Sequence, residues 1–228
     1  MINKSPSAVR FIELMQVNAG RSASLGSKDS FTNDVVRGAV GQINEDVAAS
    51  VNLIVRLAKD ESRTVPALNH RAKQEADALI PKIYKARDTL RAQADKIEND
   101  AMGRIADKLA LNPANVVFQQ LKVAWLKEQY ADPVNGLVAI DKAMKTDIEL
   151  AAIVNSGVGY VLGMSEDARL SFVSKAVKTH VPDAAEALHV ATQIRKTADK
   201  YDGVAKDVRS AFYVAEQADR YEKTRVED

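Results

Sequence analysis

The apolar residues of segment 36–58 recur in a fixed order. They form two trios, and each member of the first trio recurs eleven residues later in the second: Val36, Val40, Ile43, Val47, Val51 and Ile54. Eleven residues make three turns of 3.67 residues, so the side chains stay on one face of an α-helix with almost no supercoil. The pattern predicts a long amphipathic helix whose apolar edge needs a packing partner.

A second segment repeats the same period. Leu79 and Leu90 are eleven residues apart, and Ile83 and Ile97 are apolar positions of the same predicted helix. Two apolar edges of equal period joined by a short turn predict an antiparallel helical hairpin over residues 29–111. We treat the ten residues on these edges as a candidate interaction seam for a partner chain: Val36, Val40, Ile43, Val47, Val51, Ile54, Leu79, Ile83, Leu90 and Ile97.

Turn-forming residues organise the rest of the chain. Residues 1–28 are predicted as a short helix and a flexible arm, because their second half is small and polar. Residues 112–228 are predicted as a compact bundle of shorter helices with a frayed C-terminal tail, and Asp202-Gly203 indicates a break between its last two helices. No segment shows sustained alternation, so the fold class is all-α: a long antiparallel hairpin plus a compact bundle.

The middle of the chain is poor in charge. Residues 109–164 contain nine charged side chains in 56 positions. Within this stretch Phe118, Leu121 and Trp125 share one helical face. We therefore expect this region to be the best buried part of the molecule.

Composition narrows the possible functions. The net charge is +1, from 32 basic and 31 acidic residues, so no global field attracts a polyanion. The chain has no cysteine, which excludes disulfides, thiolate metal sites and cysteine nucleophiles. Neither a signal peptide nor a transmembrane span is indicated. We expect a soluble protein that is cytoplasmic at synthesis.

Motifs for chemistry are weak. Glu186 and His189 have the spacing of a metal-binding pair on a helix, but a di-metal site needs a second pair. Gly157, Gly159 and Gly163 are spaced one residue too widely for a dinucleotide fingerprint. We predict no catalytic residue, no cofactor, no metal site and no small-molecule substrate, and the protein is expected not to be an enzyme.

Residues 150–165 contain no charge. This segment is too short to span a bilayer as a helix, yet it could insert into a membrane or lie against one. Its candidate membrane-active residues are Val158, Tyr160, Val161 and Leu162. The alternative is that the segment forms the buried centre of the bundle.

The densest basic stretch contains Lys82, Lys85, Arg87 and Arg91, with acidic residues interleaved. These four are candidate phosphate contacts in a nucleic-acid-associated protein. A solvated helix face with local ion pairs is the alternative.

The sequence is therefore most consistent with a structural or assembly protein that acts through helix-mediated contacts with protein. The partner is expected to be a second copy or another subunit of a larger particle, such as a virion-associated or scaffold-like assembly. Membrane-active or translocation-related function and nucleic-acid association are the alternatives.

Overall fold

The computed structural model describes residues 2–132 and 134–224. The chain is 85% helical, and no strand occurs in those ranges, which confirms the all-α prediction. The helices are α1 (Pro6–Gln16), α2 (Asn18–Leu25), α3 (Asp34–Leu57), α4 (Val65–Lys108), α5 (Val116–Ala131), α6 (Gly136–Thr146), α7 (Ile148–Ser156), α8 (Gly159–Leu162), α9 (Glu166–His180), α10 (Pro182–Phe212) and α11 (Ala215–Thr224). Short 3-10 turns occur at Lys28–Ser30 and Pro113–Asn115.

Side-chain caps explain where several helices begin. The Ser5 hydroxyl accepts the N–H of Ala8 at the start of α1, and the Asn33 amide oxygen accepts the N–H of Val36 at the start of α3. Ser165 caps α9 in the same way. Each cap satisfies one of the free N–H groups that every helix leaves in its first turn.

The chain forms two compact units. One contains the chain up to Asp95 together with the chain from Thr192 onward, and the other extends from Lys96 to Ala191. The boundaries fall inside α4 and inside α10. The division of the chain into the predicted segments 1–28, 29–111 and 112–228 stays a prediction.

In the first unit α3 lies antiparallel beside α4. The Ser50 hydroxyl donates to Glu75 at 2.6 Å, and one turn earlier in α3 Asp46 accepts from Lys82 at 2.9 Å. All six apolar positions between Val36 and Ile54 are buried. The eleven-residue repeat therefore packs as the sequence indicates in this part of the hairpin.

A third long helix, α10, lies antiparallel along another side of α4. Arg91 pairs with Asp199 at 2.9 Å, and Asp95 pairs with Arg195 at 2.6 Å. The helix continues through Gly203, so the predicted break at this glycine is absent. Tertiary packing of α10 outweighs the low helix propensity of one glycine.

The N-terminal residues pack on the same unit. Residues 18–25 form α2, although small polar residues there indicated a flexible arm. Leu25 is buried, and its carbonyl accepts the Tyr201 hydroxyl at 2.8 Å. Burial raises the pKa of Tyr201 strongly, which keeps its hydroxyl protonated as a donor.

The second unit packs α5, α6, α7 and α9 around its own core. The core includes Leu126, Ile140, Met144, Leu150, Val154 and Phe172. The helical region from Gly136 to Ser156 is divided at Asp147, because this carboxylate accepts the N–H of Leu150 and so caps a new helix, α7.

Two glycine substitutions test this description of the first unit. Gly203→Ala should raise the free energy of unfolding by about 0.5–1 kcal/mol, because Gly203 is helical and an added Cβ meets no atom within 4 Å. Gly26→Ala should lower it by about 1 kcal/mol or more, because Gly26 has φ of +86° and a Cβ would lie 2.8 Å from Thr197 Cγ2. Urea unfolding followed by circular dichroism measures both. A loss of stability in Gly203→Ala would show that the helix is interrupted there.

Candidate interaction surface

Helix α5 carries apolar side chains on more than one side. Leu126 faces the core of the second unit and is fully buried. Val117 lies about half a turn around the helix from Leu126. Val117, Phe118 and Leu121 are 68%, 61% and 63% exposed. We call these three residues the α5 face.

This exposure contradicts the expectation that residues 109–164 are the best buried part of the chain. Trp125 is partly buried against the core, but Phe118 and Leu121 of the same predicted face are exposed. A helix that is apolar on all sides is normally covered on all sides. Here α6, α7 and α8 cover only the inner side of α5.

An apolar groove borders the α5 face. Its volume is about 380 Å³, and its walls come from α5, α7, α8 and the residues before α5. We call it the α5–α8 groove, and its apolar lining consists of Leu111, Val116, Val123, Ile153, Val161 and Leu162. The groove and the α5 face meet at Val116 and Val117, so together they form one apolar surface.

A polar cluster fixes how α5 is rotated on the core. Lys122 pairs with Asp147 at 2.7 Å and with Glu149 at 2.9 Å, both at the start of α7. Asn115 donates to Glu149 at 2.9 Å, and Gln119 donates to the same carboxylate at 3.4 Å. A rotation that turned the α5 face inward would break these contacts.

The charges of this cluster stabilise one another. Burial raises the pKa of Asp147, but hydrogen bonds from Lys122 and from the Leu150 N–H outweigh burial and leave the pKa below its ordinary value. Hydrogen bonds from Lys122 and Asn115 lower the pKa of Glu149. Burial lowers the pKa of Lys122, and its hydrogen bonds to the two carboxylates more than reverse this effect.

The candidate membrane-active residues lie on and beside α8. Tyr160 is 85% exposed, Val158 and Val161 are also exposed, and Leu162 is buried. Residues 150–154 of the same uncharged segment are all buried. Membrane activity of the whole segment would require the core of this unit to open, and it stays a prediction.

Protein contacts hold α8 in place. Glu166 accepts the Gly159 N–H at 3.0 Å, and Arg169 donates to the Val154 carbonyl at 3.0 Å. Gly163 ends α8 with φ of +75°, a conformation that glycine adopts without strain. None of the helices in the described ranges is long and apolar enough to cross a bilayer.

The structure places the candidate interaction seam inside the fold. Nine of its ten residues, from Val36 to Leu90, are buried, and Ile97 is partly exposed. This chain's own helices cover them. A contact between the seam and a partner stays a prediction, and it would require this packing to open.

The four candidate phosphate contacts do not form one cluster. Lys82 and Lys85 line a groove beside α3, where Lys82 pairs with Asp46. Arg87 and Arg91 pair with Asp202 instead, on α10. Three of these four cationic side chains are therefore already ion-paired with carboxylates of this chain.

The histidines do not form a metal site in the part of the chain that the structure describes, where no group of three or more potential ligands occurs. Glu186 and His189 are both exposed on α10. His180 contacts the Met144 carbonyl at 2.6 Å and so joins α9 to α6.

The polar cluster predicts a specific acid sensitivity. In the folded protein the pKa values of Asp147 and Glu149 lie below their ordinary values of 3.8 and 4.5. The two carboxylates therefore contribute fully to the free energy of unfolding above their ordinary pKa values. This contribution is lost as the pH falls through their pKa values in the folded protein. Lys122→Met should lower the stability of the second unit by about 1 kcal/mol at neutral pH. It should also reduce the loss of stability between about pH 5 and 3.

Fluorescence of Trp125, the only tryptophan, can follow this unfolding because it lies in α5. Lys127→Met is the matched control, since Lys127 is exposed on the same helix and has no ion pair among the described residues. Equal acid profiles for Lys122→Met and the unaltered protein would show that the cluster does not hold α5.

Comparisons with known protein families, with curated protein sequences and with solved structures found no match to this chain. An assignment of function therefore depends on the surfaces described above.

Proposed function

We propose that this protein is a non-enzymatic assembly subunit that self-associates through the α5 face and the α5–α8 groove. The observation that supports this proposal most strongly is the exposure of Val117, Phe118 and Leu121 on one side of an ordered helix. Large apolar patches on a chain of this size usually mark a contact site.

The size of the surface is suitable for a dimer. Six apolar side chains contribute to it: Leu111, Val116, Val117, Phe118, Leu121 and Val161. They expose roughly 600 Å², at the upper end of the largest patch on a typical monomer and close to the ~800 Å² that each partner of a standard interface buries. Polar atoms at the rim would supply the remainder.

A second copy is the occupant that the chemistry favours. Between Val116 and Leu126 the only charged side chain of α5 is Lys122, and it is neutralised within the same unit. Two α5 faces related by a twofold axis would therefore meet without like-charge repulsion. Val117, Leu121 and Ala124 also have the 4-then-3 spacing of residues that interdigitate between two helices.

Such contacts are those of a subunit in a larger assembly. The protein would be a homo-oligomer, or a helical component of a particle built from repeated copies. This function requires no catalytic group.

Substitution of Leu121 tests the proposal. Leu121→Glu should raise the dissociation constant of the self-associated species roughly a hundredfold, because each of two subunits loses about 1.5 kcal/mol or more of apolar burial. Leu170→Glu is the matched control, since Leu170 is also an exposed leucine of the second unit but lies on α9. Sedimentation velocity over a range of concentrations measures the dissociation constants.

An unaltered protein that stays monomeric at the highest concentration would overturn self-association. Flotation with phosphatidylcholine vesicles then tests the membrane alternative. Vesicle binding that is lost in Val161→Asp would favour a membrane contact through α8 instead.

A further inference from the structure

The junction between α10 and α11 is interrupted without a helix-breaking residue. Helix α10 ends at Phe212 and α11 begins at Ala215, so Tyr213 and Val214 are the two non-helical residues between them. Residues 204–224 contain neither proline nor glycine, the residues that usually end a helix. The local sequence therefore does not explain the interruption.

Two side-chain amides hold the backbone groups that would close the missing turn. In a continuous helix the N–H of Val214 would donate to the carbonyl of Ser210, four residues earlier. Instead, this N–H donates to Oδ1 of Asn69 at 2.7 Å. The Ser210 carbonyl accepts Nδ2 of Asn3, also at 2.7 Å. Each side chain therefore replaces one half of the same backbone hydrogen bond.

The two amides differ in how firmly they are held. Asn69 lies in α4 and is 1% exposed, and its Nδ2 donates to the Val65 carbonyl at 2.9 Å, which fixes the direction of its Oδ1. Asn3 is only partly buried, and its Oδ1 accepts the N–H of Ser5 at 3.0 Å. The contact of Asn3 can therefore open by a local movement of the N-terminal residues, whereas that of Asn69 belongs to the core.

Mostly polar contacts hold α11 against α4. Among the residues of α11 whose burial the structure describes, only Ala218 is fully buried. Lys73 of α4 pairs with Glu222 at 2.9 Å. The ring of Tyr221 lies 4.7 Å from the ring of His70 on α4. Because a polar helix of ten residues is not stable alone, the position of α11 depends on this small set of contacts.

A continuous helix would turn a different side of α11 toward α4. At about 100° per residue, Ala215 and Asp219 lie within roughly 60° of Phe212 and would extend the buried edge of α10. Tyr221 would lie half a turn away from Phe212, so its contact with His70 would be lost. The bent and continuous forms therefore differ in which side of α11 is covered.

We propose that this junction is a joint with two states. In one state it is bent, and in the other α10 and α11 form a single helix through Tyr213 and Val214. Asn69 and Asn3 set the balance, because each holds a backbone group that the single helix must pair. Release of the Ser210 carbonyl by the N-terminal residues favours the single helix, so the position of these residues controls which side of α11 is exposed. The joint lies in the first unit and does not depend on the proposed assembly function.

Nuclear magnetic resonance of the full-length, ¹³C- and ¹⁵N-labelled protein tests the proposal. In the unaltered protein the ¹³Cα shifts of Tyr213 and Val214 should be non-helical, and a nuclear Overhauser effect should connect the rings of His70 and Tyr221. Chemical-exchange saturation transfer measures the population of the single helix while it is the minor form.

Removal of the two amides should shift the balance. Asn69→Leu and Asn3→Ala should each change the ratio of the two forms about fivefold in favour of the single helix, the effect of one ordinary hydrogen bond. In the double variant the ¹³Cα shifts of Tyr213 and Val214 should move toward helical values, and the ring contact should weaken. Asn52→Leu, at an exposed asparagine of α3, is the matched control and should change neither.

Non-helical shifts and an unchanged ring contact in a folded double variant would overturn the proposal, because the packing of α11 would then set the bend. Helical shifts at Tyr213 and Val214 in the unaltered protein would also overturn it. If Asn69→Leu fails to fold, Asn3→Ala decides the question, since it leaves the core intact. An unchanged population of the single helix in Asn3→Ala would show that the N-terminal residues do not control the joint.

Discussion

Burial of one narrow apolar edge is the constraint on which the first unit depends. Val and Ile side chains of α3 meet an edge of α4 that is rich in alanine, where Ala72, Ala76, Ala86 and Ala94 are all buried. Small side chains let the helices approach closely, which suits a chain with only 5% aromatic residues. Because α10 adds further small residues, including Ala198 and Ala205, the long helices need no outside partner to bury this edge.

The second unit, by contrast, does not bury all of its apolar surface. Helix α5 is apolar on too many sides for one core to cover. The ion pairs of Lys122 with Asp147 and Glu149 fix the orientation of α5 about its own axis. The excess apolar surface therefore faces outward on an ordered helix. The two units differ in this respect, and the difference assigns the proposed contact surface to the second one.

The sequence predicted the parts of the fold that depend on a clear period. The repeat from Val36 to Ile54 places its apolar side chains on one face of a helix, so both the helix and its buried face could be predicted. In α5 the apolar residues point in several directions, and the pattern does not show which of them the core covers. The scarcity of charge in residues 109–164 indicated a covered surface, but not that one side of α5 is exposed.

Long-range contacts account for the other differences. The glycine at 203 is a local signal for a helix end, yet the helix continues because it packs along α4. Residues of α2, of the Lys28–Ser30 turn and of α3 line a common cleft, and no motif connects them along the sequence.

The most direct test of the central claim is a distance measured between two copies of α5. Because the chain contains no cysteine, Ala124→Cys gives a single attachment site for a nitroxide label beside the α5 face. Electron–electron dipolar spectroscopy at high protein concentration should give a short intermolecular distance of roughly 20–30 Å, from the 8–10 Å separation of packed helices plus the label arms. The same label at Leu170→Cys should not give this distance. Absence of dipolar coupling at residue 124 would contradict the account.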